Sequence, residues 1–357
     1  MRILIVDTCY PAFLNAHYAE RSDLASALYE VQWRGLMDRF FATCDAYSHS
    51  LEQLGHPAHE LIVNCDPLQE AWAREHGIRS GWRSRFRRDW TVVLAQVEEF
   101  RPDVIYAQDL NVLSPKVLNR LRARCRLLVG QIASETPLHS QLAPFQLLLT
   151  SFPHYVPRFR EQGIASEYFR LGFDRRVLDH IRDEPLATDV VFVGALGRTQ
   201  HSRGNELLER VARRVPVDFW GYNVDGWPPD AAIRRRYRGE AWGLEMYRVL
   251  ARSRIALNRH IDVAEDFANN MRLYEATGVG TLLVTDAKRN LADLFEPGEE
   301  VVTYASEDEL VEKIEHYLGN EEERARIARA GQERTLSDHT YARRMRELVE
   351  ILDRYLP

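Results

Sequence analysis

Short β-branched runs alternate with longer stretches of helical periodicity along this chain, and the alternation occurs in two separate series. A strand buried on both faces reads as a continuous apolar run, and a parallel neighbour can be reached only through a helical crossover. The first series places strands at Ile3–Val6, Leu61–Asn64, Val104–Ala107, Leu127–Ile132 and Leu147–Thr150. The second restarts at Val190–Gly194 and continues through Val217–Trp220, Ile255–Asn258, Thr281–Thr285 and Val301–Tyr304. Between the first two strands, Trp33, Leu36, Phe40, Tyr47, Leu51 and Leu54 fall on one helical face, and Gly55 supplies a stop. The polar stretch Phe173–Asp189 separates the series.

The pattern predicts an α/β protein of two Rossmann-like domains, residues 1–175 and 188–336, with parallel sheets facing a central cleft. A final helical segment, residues 337–357, carries Tyr341, Met345, Leu348, Leu352 and Tyr355 on one stripe, with cap residues in Ser337–Thr340. It is expected to pack back towards the N-terminal domain. A length of 357 residues suits two such domains. Ligands of open parallel sheets bind outside the carboxyl ends of the strands. Functional residues are therefore sought just after each strand.

The net charge of −6 argues against a general nucleic-acid binder, whose domains are usually strongly basic. Cys9, Cys44, Cys65 and Cys125 show no CxxC pair and read as free thiols rather than a disulfide frame or zinc site. The N-terminus opens directly into a strand without signal-peptide features, and no apolar run reaches the length of a membrane span. A cytoplasmic protein is expected. With no HExxH, no paired cysteines and no dense carboxylate cluster, no metal site is expected.

After Ile255–Asn258, a loop leads to a helix expected to begin near Ala268 and to stop at Gly278. Unpaired N–H groups at such a start, and the helix dipole, favour a phosphate. Arg272 can add a bidentate contact to it, and Glu275 can accept from ribose hydroxyls. The same two residues, three apart, also fit a solvated ion pair. In the other loop, Gly194 and Gly197 allow close backbone approach, and Arg198 or Arg203 can neutralise phosphate. An ordinary strand-to-helix turn would look the same.

Asn258-Arg-His260, followed by Asn270-Met-Arg-Leu-Tyr-Glu-Ala-Thr-Gly-Val-Gly-Thr-Leu-Leu-Val-Thr-Asp286, resembles the C-terminal signature of the CgeB-like (spore-maturation type) glycosyltransferases of GT-B architecture. More broadly it is similar to the Glu-Ala-x-x-x-Gly segment of the group 1 glycosyltransferases. The likeness extends to Asp189–Arg198, Trp220-Gly221, Ser306–Leu318, His339–Arg344, Tyr106–Leu110 and Thr150–Tyr155. The resemblance implies a metal-independent transfer of a sugar from a nucleoside diphosphate donor, UDP-, dTDP- or GDP-linked, with no separate cofactor. It implies that Glu275 binds the ribose and that Gly194–Arg198 lies against the phosphates, with Asn258, His260, Asn270 and Arg272 completing the donor site. The broader family has a second glutamate eight residues before the first; that place holds Phe267, with Glu265 and Asp266 beside it. Stereochemistry stays open.

An inverting transfer needs a base near the attacking hydroxyl. Asp109, directly after its strand, is the first candidate, although a turn carboxylate would sit there too. His154 and Asp7 are the others, with His17 flanking the loop after the first strand; a structural role fits each histidine equally. A glycan, lipid or protein could be the acceptor. Arg74–Trp90, with arginines interleaved among Trp72, Trp82, Phe86 and Trp90, suits either a solvated helix or a peripheral membrane or anionic contact. Two rivals remain: a sugar-nucleotide epimerase, and a non-catalytic protein binding a glycan or a partner.

Overall fold

The computed structural model describes residues 1–78, 90–181, 184–198 and 202–356. The chain forms two compact units: Met1–Arg170 together with Arg344–Pro357, and Leu171–Arg343.

The first unit holds a parallel sheet of β1 (Ile3–Asp7), β2 (Ala58–Ile62), β3 (Val104–Ala107), β4 (Leu127–Gln131), β5 (Leu147–Thr150) and β6 (Ser166–Tyr168), in the order β2-β1-β3-β4-β5-β6. The second holds β7 (Thr188–Ala195), β8 (Asp218–Tyr222), β9 (Tyr237–Gly239), β10 (Ser253–Leu257), β11 (Leu282–Asp286) and β12 (Val302–Tyr304), in the order β12-β11-β10-β7-β8-β9 and again all parallel. In both sheets the order reverses beside the first strand of the unit. Crevices for ligands form at such switch points.

Strands β3 (VIYA) and β5 (LLLT) are buried at every residue, as their unbroken apolar runs require. Sequence reading misses β6 and β9, three-residue edge strands reading SEY and YRG without an apolar signal. It also places β2 three residues late, because the strand reads AHELI with a glutamate at its centre. Glu60 is 1% exposed there. Its carboxylate accepts from the Ser48 amide at 2.9 Å and from the Ser48 hydroxyl. Desolvation pushes the Glu60 carboxyl up to about 8, against the lowering effect of these bonds.

The single helical face expected over Trp33–Leu54 is in fact two helices, Tyr29–Met37 and Ala46–Gln53. The break is a backbone one: Phe40, Ala42 and Cys44 all take positive φ, at 53°, 53° and 37°. Side-chain periodicity cannot reveal that. The C-terminal helix runs Tyr341–Tyr355, with Tyr341, Met345, Leu348 and Leu352 buried along its stripe and Thr340 accepting from the Arg343 amide at 3.3 Å. All four cysteines are free thiols.

Candidate functional site

In the second unit, polar side chains gather at the carboxyl ends of β7, β10 and β11. The Met271–Gly278 helix starts there, three residues later than the sequence suggests. Its N-cap is Asn270, whose Oδ1 accepts from the Leu273 amide at 3.2 Å. The amide of Ala268, the expected start, instead donates to Asn290 Oδ1 at 2.6 Å. Asn270 Nδ2 donates to Asn258 Oδ1 at 2.8 Å and to the Arg259 carbonyl at 3.1 Å. Asn258 in turn donates to Thr285 Oγ1 at 2.9 Å, and its carbonyl accepts from the Tyr304 hydroxyl at 3.0 Å. The first turn of the helix is thus clamped to the end of β10.

On that first turn Arg272 Nη1 lies 2.9 Å from Glu275 Oε2 and donates to Met246 Sδ at 3.0 Å. The side chains are 14% and 6% exposed, and Arg272 Nε is buried without a hydrogen-bond partner. Burial raises the Glu275 carboxyl above its ordinary range, while Arg272 opposes the rise. Of the two readings of these residues, the solvated one fails: they pair, but out of water.

Arg259, which sequence reasoning passed over between its two picks, is 8% exposed. Its guanidinium donates to Asn205 Oδ1 at 2.7 Å and to the Ala195 carbonyl at 3.2 Å, over the Phe192 ring. Asn205 also donates to the Gly197 carbonyl at 2.7 Å. Arg259 therefore ties the loop after β7 to the end of β10, while its carbonyl holds the Asn270 cap. Gly204 makes room for it: a Cβ there would lie 2.2 Å from Arg259 Cδ.

Gly194 pairs with Gly221 across β7 and β8. Gly221 has φ +140°, and a Cβ on it would fall 1.8 Å from the Gly194 carbonyl oxygen. Glycine is required at that contact. The Arg198 guanidinium lies 5.3 Å from the Trp227 ring centre, and Trp227 Nε1 donates to the Leu196 carbonyl at 2.6 Å. Arg203 is exposed on the Ser202–Ala212 helix.

His260 has a fully buried side chain. Its Nδ1 lies 2.7 Å from Asp286 Oδ1, which also accepts from the His260 amide at 3.0 Å. Nε2 is buried without a hydrogen-bond partner. Burial would raise the Asp286 carboxyl, but the hydrogen bond and charge of His260, with Lys288 3.3 Å away, hold it below its ordinary value. Asp286 is the last residue of β11 and closes the signature segment, and that place at a strand's carboxyl end was the available signal. Phe267 is buried, with the Arg289 guanidinium 3.9 Å from its ring centre. The neighbouring Glu265 takes φ 52°, and its carbonyl accepts from Lys288 at 2.7 Å.

In the first unit, the ends of the adjacent strands β1 and β3 bring Asp7 and Asp109 together. Thr8 links them: its amide donates to Asp7 Oδ1 at 2.7 Å and its hydroxyl to Asp109 Oδ2 at 2.8 Å. The Asn111 amide donates to Asp109 Oδ1 at 3.0 Å, so Asp109 is also the turn carboxylate considered from sequence. Desolvation pushes Asp7 up to about 7; the Thr8 amide opposes this and the charge of Asp109 adds to it. His154 precedes the Tyr155–Glu161 helix, its ring 5.3 Å from that of Phe152 and 4.8 Å from that of Tyr155. His17 is buried inside the Pro11–Glu20 helix, beside Phe13 and Tyr18, and desolvation lowers it to about 4. It is a core residue of the helix that follows the loop, with its side chain turned away from water.

Of the basic-aromatic stretch, Trp72 is buried and stacks on His76 at 3.9 Å, and Arg74 donates to the Ala27 carbonyl at 3.1 Å. Arg79, Arg83, Arg85, Arg87 and Arg88, with Trp82 and Phe86, lie outside the described residues. Among the described residues no helix is long and apolar enough to cross a membrane.

Residues 198–350 match the glycosyl transferase-like family. No curated protein sequence matches the chain. Among solved structures, sucrose-phosphate synthase from Thermosynechococcus elongatus superposes with a TM-score of 0.58 at 13% identity, covering 99% of each chain. Alr3699/HepE of Anabaena, solved with UDP and glucose, gives 0.58 at 15% identity, again over 99% of each chain. AviGT4, a glycosyltransferase involved in avilamycin A biosynthesis, gives 0.56 at 15% identity over 87% of this chain and 88% of its own. The chain has the GT-B fold. At such identities the likeness to these structures is one of fold, while the family match falls on the unit that carries Arg259, Arg272 and Glu275.

Proposed function

We propose that this GT-B protein transfers a sugar from a nucleoside diphosphate donor to a hydroxyl acceptor, as a CgeB-like enzyme. The observation that carries the reading is the clamp at the Met271–Gly278 helix. A capped helix start, the buried Arg259, the largely covered Arg272 and the buried Glu275 lie around the carboxyl ends of β7 and β10. Buried cations and a helix N-terminus suit a diphosphate, and a buried carboxylate suits the hydroxyls of a ribose. In this reading Glu275 binds the ribose, Asn258 and Asn270 fix the helix start, and Arg272 faces the diphosphate. Gly194, Gly197, Arg198 and Arg203 border the phosphates from the loop after β7, and His260 offers Nε2 to the donor. The leaving diphosphate's charge is met by the helix and these arginines, as in electrostatic catalysis by preorganised groups. Turnover should then survive EDTA. Asp109 serves as the base if the transfer inverts, with Asp7 beside it.

The test is a thermal-shift screen of the full-length protein with UDP, dTDP, GDP and CMP. A nucleotide at a hundred times its dissociation constant adds about 2.7 kcal/mol, which raises the melting temperature by roughly several degrees for domains of this size. Release of free sugar from the donor that binds supports transfer, whereas interconverted donor would mean an epimerase. If no nucleotide shifts the transition, the donor site is wrong.

A further inference from the structure

Three residues after β1, Tyr10 stands 50% exposed. Its ring meets that of Phe41 edge-on at 5.4 Å, and Phe41 stacks on buried Phe13 at 4.2 Å with 14° between planes. An aromatic ring at the surface is thus rooted in the core through two others. The loop that brings Phe41 there is strained: Phe40, Ala42 and Cys44 all take the left-handed backbone. Such conformations cost energy for residues with a side chain and persist where the surroundings enforce them. Thr43, inside the loop, donates to Gln108 Oε1 at 3.0 Å, beside Asp109. Asp109 accepts from Thr8, two residues before Tyr10. Ring, loop and carboxylates therefore form one connected set at the carboxyl ends of β1 and β3.

A sugar presents an apolar C–H face and a rim of hydroxyls. A flat aromatic surface takes the first, and carboxylate and amide oxygens accept from the second. An acyl chain would gain little beside two carboxylates and an amide. We propose that Tyr10, backed by Phe41 and Phe13, is the stacking platform for a saccharide acceptor, whose hydroxyls are held by Asp7, Gln108 and Asp109. This rests on the reading of the first unit as the acceptor side, and it selects a glycan over a lipid or protein acceptor.

The test is retention of the full-length protein on a printed array of saccharides, using wild type, Tyr10→Ala and Tyr10→Trp, with the nucleotide thermal shift measured on each. Retention of the wild type is expected, weakened about tenfold in Tyr10→Ala, within the range of one aromatic contact, and kept in Tyr10→Trp. The nucleotide shift should be the same in all three, which separates the acceptor platform from the donor site. A wild type retained by no saccharide, or Tyr10→Ala retained undiminished, would overturn the proposal whatever the nucleotide shift shows.

Discussion

Arg272 Nη1 lies 2.9 Å from Glu275 Oε2, one turn along the Met271–Gly278 helix, with both side chains withdrawn from water. Three-residue spacing on a helix usually makes a solvated pair of small worth. Here burial changes the balance, because removing one partner strands the other's charge in a low-dielectric setting. The pair is also incomplete: Arg272 Nε is buried with no acceptor.

Single substitution at this pair should therefore be costly without any ligand. Glu275→Ala leaves a buried guanidinium uncompensated, worth about 3–5 kcal/mol, or a fall in melting temperature of roughly 6 °C or more. The double variant with Arg272→Ala should lose clearly less than the sum of the singles. Additive losses, read by calorimetry on the nucleotide-free protein, would mean that the pair contributes no coupling.

Gly204→Ala should separate stability from binding. The exchange favours a helix by up to about 1 kcal/mol, yet the new Cβ displaces Arg259 from Asn205 and the Ala195 carbonyl. The expected protein melts within a few degrees of wild type and shows a much smaller nucleotide shift. A full nucleotide shift would remove Arg259 from the donor site.

Asp286→Asn removes the charge that fixes His260 through Nδ1 and faces Lys288. Asp286 is held below its ordinary value, so its contribution to stability is present above the unfolded-state pKa and is lost as pH falls through the lower folded one. The variant should melt lower than wild type at pH 7, with the difference closing in acid. A difference that persists unchanged in acid would assign the loss to something other than this charge.

Glu60 gives the opposite sign. Its folded carboxyl sits at about 8 against an unfolded value of 4.5, so the fold holds its proton more tightly than the open chain. Stability should fall as pH rises from 5 towards 8, with one pKa unit corresponding to about 1.4 kcal/mol. Asp7, raised to about 7, adds to the same slope at its lower end. Glu60→Gln keeps an acceptor for the Ser48 amide and should flatten the dependence. A melting temperature that climbs over this range in wild type would contradict the assignment.

The sequence by itself determined the two parallel α/β sheets, because strands covered on both faces cannot be written without long apolar runs: VIYA at β3 and LLLT at β5 needed no tertiary information. It also located Arg272, Glu275, Asn258 and Asn270 on one segment after β10. Where polarity or backbone conformation decides, the sequence was silent. Glu60 hid β2, the edge strands β6 and β9 had no apolar signature, and three positive-φ residues cut one expected helix into two. The partnerships at the site belong to tertiary structure alone. Arg259 meets Asn205, 54 positions away, and Thr8 meets Asp109, 101 positions away, because parallel strands distant in the chain end at the same edge of a sheet. Whether Arg272 and Glu275 formed a loose surface pair or a desolvated one was likewise decided there, since spacing sets which residues can touch and packing sets how much water is left between them.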